Sequence, residues 1–106
     1  MSAVASKPTK ARTLHLYGCL HAAHVLIHDV WRGGPLAREA ADDQLAFAES
    51  AAVKHFGRAH RVTAAVWGAQ DAFRAANREG VTLDHDEWER LDTALVRALD
   101  AVRGYL

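Results

Sequence analysis

From Arg12 onward the apolar positions Leu16, Leu20, Ala23, Ile27 and Val30 recur at steps of four, three, four and three residues, the spacing that keeps side chains on one face of an α-helix. "RGGP" at 32–35 should end that helix, because Gly33 or Gly34 can take a left-handed C-cap and Pro35 fits the first turn of the next. A second helix is predicted over 35–56, with Leu36, Ala40, Phe47 and Ala51 along one face and Ala41, Leu45, Ala48, Ala52 and Phe56 beside it. Gly57 is its stop. A third helix, over 58–77, presents Val62, Val66, Ala69, Phe73 and Ala76 and is closed by Gly80. The fourth has the best-marked start: Asp84 as N-cap, Glu87 three residues on as in a capping box, and Leu83 placed to pack on Trp88 as a hydrophobic staple. Its core face runs Trp88, Leu91, Leu95, Ala98, Val102 and Tyr105.

Four helices joined by short connections pack most readily as an antiparallel up-down four-helix bundle, and no strand pattern, repeat or low-complexity tract competes with that all-α reading. The first eleven residues, "MSAVASKPTKA", lack periodicity and read as a flexible tail, leaving 12–106 as a single domain. Alanine fills many core positions of helices two and three, so those helices approach closely but bury little area apiece. The monomer is therefore expected to be thinly stabilised. Trp31, Trp67 and Tyr105, with Tyr17 beside the core, are the residues a second chain would cover, and a homodimer is the expected state.

Composition narrows the partners. The chain has 106 residues, half of them apolar, enough for one core without disulfide or metal staples. Thirteen basic residues balance thirteen acidic ones, so no global field draws it to nucleic acid or anionic lipid, and any such binding must be a local patch. The single cysteine, Cys19, makes no internal disulfide and suits a reducing cytoplasm. "LYGC" at 16–19 is faintly like a lipoprotein cleavage box, but too few apolar residues lie between Arg12 and Cys19 to precede one, so no export is expected. Four histidines and Asp29 between residues 15 and 29 make the same stretch too polar to span a bilayer. No membrane partner is expected.

The candidate chemistry sits in "YGCLHAAHVLIHDVW", residues 17–31. At about 100° per residue, His24, Tyr17, His28 and His21 fall within about 60° of each other along one margin of the apolar arc, whereas His15 lies on the other flank. His24 and His28, at i and i+4, can reach one Zn²⁺, Ni²⁺ or Cu²⁺ through imidazole nitrogen, with His21 as a third ligand and a fourth from another helix or chain. The plainer account is a row of neutral, half-buried histidines along a packing seam. No paired-cysteine or His-Glu-x-x-His motif accompanies the stripe, and buried haem would need histidines at the centre of the arc. On the sequence no cofactor is required for folding, and Zn or Ni is the metal the stripe would take.

Elsewhere, "KHFGRAHR" at 54–61 gathers Lys54, Arg58 and Arg61 with His55 and His60 around a turn, where they could contact phosphates, although a charged, solvated turn is the commoner explanation of such a cluster. "DHDEWE" at 84–89 offers carboxylates that the helix cap and dipole already explain. Cys19 lies inside the apolar arc, where burial makes a thiol inert, and no phosphate loop or catalytic set appears. The sequence thus reads first as a non-enzymatic, cytoplasmic interaction or regulatory module, self-associating or bound to another protein. A metal-binding or metal-sensing bundle is the second reading, and a nucleic-acid-binding regulator acting through the 54–61 turn the third.

Overall fold

The computed structural model describes residues 10–30, 35–77 and 84–106. They form four packed helices, α1 (Lys10–Val30), α2 (Pro35–Phe56), α3 (Arg61–Ala76) and α4 (His85–Arg103), with no strand among the described residues. α1 packs on α2 and α4, and α3 packs on α2 and α4, so each helix has two close neighbours around one shared core. None of these helices is long and apolar enough to cross a membrane.

The four-three spacing carries into the core almost residue for residue. Leu16, Leu20, Ala23 and Ile27 of α1, Val62, Val66, Ala69, Phe73 and Ala76 of α3, and Leu91, Leu95, Ala98 and Val102 of α4 are all buried. α2 contributes Ala41, Leu45, Ala48 and Ala52, three of them alanines, which lets the backbone of α1 come close and gives the α1–α2 pair the most extensive contact in the molecule. Phe47, expected on a core face, is instead 54% exposed. At about 100° per residue it lies roughly 130° from the stripe centred on Leu45 and Ala48, too far round the helix to reach the seam.

Local chemistry sets the helix ends. Gly57, at φ 90°, stops α2 in the left-handed conformation, its N–H donating to the carbonyls of Ala52 at 3.2 Å and Val53 at 3.1 Å. α3 begins three residues later than the pattern suggests, because His60 is its N-cap: Nδ1 accepts the Val62 N–H at 3.0 Å, leaving residues 58–60 as the turn. The buried Thr63 hydroxyl ties the turn down by donating to the Gly57 carbonyl at 2.6 Å. At the start of α4, Asp84 caps through its side chain, accepting the Glu87 N–H at 2.8 Å, as the sequence implies. α1 starts at Lys10, two residues inside the segment read as tail, since Lys10 and Ala11 both favour helix. The rest of that tail, the "RGG" terminator, Gly80, Leu83 and Trp31 lie outside the described residues.

Candidate metal centre

On α1, His24 and His28 stand one turn apart, each one residue past a core position, Ala23 and Ile27. On α4, Asp92 follows the core residue Leu91 in the same way. This offset of one residue, about 100° from the seam, puts all three at the margin of the α1–α4 contact. There they meet. His24 Nε2 lies 2.8 Å and His28 Nε2 2.5 Å from the same oxygen, Asp92 Oδ1. The two imidazoles are nearly perpendicular, with centroids 4.6 Å apart, and Trp88, one turn before Asp92, sets its ring edge to face at 5.0 Å from His28.

Hydrogen bonds from His28 and His24 hold the Asp92 carboxyl below its usual range, outweighing the desolvation that opposes them. Asp92 is therefore an ionised, acceptor-only group, and both Nε2 atoms must carry the protons they share with it. Removing those protons turns the same three atoms into ligands. Two imidazole nitrogens and a carboxylate oxygen, all within 4.8 Å of one another, form a donor set suited to a borderline divalent ion. Tetrahedral coordination with bonds near 2.1 Å would space the ligands about 3.4 Å apart, so rotamer adjustments of under about 1 Å suffice. The side chains are 24%, 41% and 37% exposed, which leaves water able to take a remaining position.

The chain matches no known family, no curated protein and no solved structure.

His21, placed on the same stripe by angle, is separated from the cluster by height. It lies about 4.5 Å along the axis from His24 and about 10 Å from His28, is exposed, and stacks parallel to Tyr17 with centroids 6.3 Å apart. The α4 residue one turn past Asp92 is Val96, which offers nothing to bind it. Asp92 is the residue sequence reasoning missed. Its signal was present in α4, where Trp88 and Asp92 sit beside the core stripe as His24 and His28 do in α1, but only the packed register of the two helices brings the pairs together.

The aromatic residues expected at a subunit contact have intramolecular partners. Tyr17 is half-buried, its hydroxyl accepting from Arg103 at 2.7 Å with the guanidinium 5.7 Å over its ring. The half-buried Trp67 indole donates to Glu49 at 2.7 Å. Tyr105 is exposed at its rim but packs on Phe56 at 5.2 Å and meets His60 Nε2 with its hydroxyl at 3.2 Å. Because His60 Nδ1 accepts the Val62 N–H, neutral His60 carries its proton on Nε2 and donates to Tyr105. Burial pushes the Cys19 thiol up, as its place in the apolar arc implies. Lys54 lines two shallow grooves, one shared with Arg58 and Trp67, the other with His15, Phe47 and His55. Arg61 lies 5.6 Å over Tyr105.

Proposed function

We propose that the protein is an up-down antiparallel four-helix module that binds a single divalent transition-metal ion, Zn²⁺ or Ni²⁺, through His24, His28 and Asp92. Two cross-helix contacts support the topology: Tyr17, early in α1, meets Arg103 at the end of α4, while His28, late in α1, meets Trp88 at the start of α4. The observation that carries the metal reading is the convergence of two imidazole nitrogens on one carboxylate oxygen contributed by a different helix. A packing seam needs only one such hydrogen bond; two imidazoles one turn apart and aimed at the same point make a chelating unit. The self-association reading has weaker support, since Tyr17, Trp67 and Tyr105 each use a polar atom within the chain.

Calorimetric titration of untagged protein with Zn²⁺ at pH 7.5 is expected to show one site per chain. His24→Ala, His28→Ala and Asp92→Ala should each weaken it by about tenfold or more, and His21→Ala should leave it nearly unchanged. Because imidazole and proton compete, the ion should be released as pH falls through about 6. Ni²⁺ should quench the fluorescence of Trp88 in particular, so Trp88→Phe should remove most of the quenching. Absence of binding heat, or equal losses in His21→Ala and His24→Ala, would overturn the assignment.

A further inference from the structure

Three of the four helices turn charge toward water, with Asp43 of α2, Asp71 of α3 and Arg97 of α4 all exposed. α1 is the exception. From residue 13 to residue 28 it contains no Asp, Glu, Lys or Arg. At about 100° per residue, the line opposite its core stripe of Leu16, Leu20, Ala23 and Ile27 runs through Leu14, Gly18, His21 and Val25. All four are exposed, Leu14 by 51% and Val25 by 42%. A helix without a charged face is ordinarily covered on every side. The flanks of α1 extend this surface. Phe47 of α2 borders the groove that α2 shares with His15, and Val96 follows Asp92 by one turn on the side of α4 that meets α1. Four of the six exposed large apolar side chains among the described residues, Leu14, Val25, Phe47 and Val96, therefore lie on one wall. Gly18 stands at its middle. Apart from its own helix, nothing lies within 4 Å of the place a Cβ would take there, so the fold does not call for a residue that weakens a helix relative to alanine.

We propose that two copies of the chain associate through this wall, with their α1 helices antiparallel across a two-fold axis. The outward residues of α1 advance by four, three and four, a spacing that reads the same from either end. Laid antiparallel, the helices set Leu14 against the partner's Val25 and Gly18 against the partner's His21, so the absent side chain makes room for the imidazole. A two-fold contact has to be self-complementary in this way. Charge agrees with the arrangement. No acidic or basic side chain from the central four turns of α1 is buried, and Lys10 of each copy comes beside the far end of the other α1, where the helix dipole is negative. α1 is about 31 Å long and the molecule 22 by 20 Å across, so the wall covers roughly 600 Å² per copy, the lower end of what a stable dimer buries. Association in the micromolar range follows. Tyr17, Trp67 and Tyr105 keep their partners within the chain, and the contact does not need them. It is independent of the metal centre and is tested in chelator.

Sedimentation equilibrium of the untagged full chain should show the mass rising from one chain toward two across the micromolar range. Leu14→Lys and Val25→Glu, both at exposed positions, should stay folded and each weaken association by about tenfold or more. Mixed in equal amounts, these two variants should associate again, because the antiparallel register brings the two new charges together; a parallel pair would set residue 14 against residue 14 and show no recovery. Gly18→Gln should raise the Tm of the monomer at low concentration and weaken the dimer, two opposite effects that a residue acting only within its own helix would not give. Gly68→Gln, on α3 with equally open surroundings, should raise the Tm and leave association unchanged. A chain that stays monomeric throughout, one that dimerises only after residues 1–9 are removed, or one that binds phosphatidylcholine vesicles in place of a second copy would overturn the proposal. So would Val25→Glu and Gly18→Gln variants that associate like the wild type.

Discussion

Asp92 controls how the protein responds to acid. On the sequence alone, protonating neighbouring histidines would set like charges side by side; with Asp92 between His24 and His28, the incoming charge meets a carboxylate instead. The Asp92 carboxyl is held below its usual range in the folded chain, so its contribution is complete above the ordinary aspartate value near 3.9 and fades as pH falls through that value toward the depressed one. In chelator, the difference in Tm between wild type and Asp92→Asn should be present at about pH 6 and shrink toward pH 3; a difference that did not change with pH would contradict this. His55 has the opposite charge type. Its imidazole is also depressed, so folding is penalised once pH drops below the ordinary histidine value near 6.5. His55→Gln should flatten the fall in Tm between about pH 7.5 and 5.5. The His24–His28 pairing was legible from the i, i+4 spacing, but Asp92 was not, because its place depends on how far α4 slides along α1, a quantity that no local pattern encodes.

The turn between α2 and α3 shows what helix ends contribute. Gly57 at φ 90° has no side-chain obstacle around it, so Gly57→Ala pays only for the left-handed backbone, about 1–2 kcal/mol. Thr63→Val keeps the shape but removes the hydroxyl from the Gly57 carbonyl, with an expected loss of about 1–3 kcal/mol. Urea unfolding of both variants measures this, and a Thr63→Val chain as stable as wild type would show that water replaces the bond. Gly57 could be read as a terminator from the sequence. His60 could not be read as a cap, since histidine is not among the usual capping residues, and the burial of Thr63 breaks the apolar code for the same reason: its hydroxyl finds the Ala52 and Gly57 carbonyls only once α3 docks on the end of α2. Phe47 shares a helical spacing with Leu36, Ala40 and Ala51, but the alanine stripe through Leu45 decides which face of α2 turns inward.

Close approach of α1 and α2 depends on the buried alanines of α2, Ala41, Ala48 and Ala52. Ala48 is fully buried, so Ala48→Leu should overpack the contact and lower stability by about 1–3 kcal/mol, whereas Ala46→Leu, on the exposed side, should be near neutral. Equal effects of the two would mean that α2 is seated differently from its packing here. The four-three spacings predicted the helices and nearly the whole core, because burial of one face is a property each helix carries alone. The α1–α4 cluster is a relation between helices and emerges only with the assembled chain.

The bonds from His24 and His28 to Asp92 join residues 68 and 64 positions apart, linking the first helix to the last. Closing so long a loop is costly in chain entropy, and any opening of α4 from α1 must break the link first. An ion held there would bind the closed ring of helices and not the open chain, so at one hundred times its Kd it would add about 2.7 kcal/mol against full opening. Amide hydrogen exchange should then slow across the cores of both terminal helices together, while the frayed residues at their tips exchange as before.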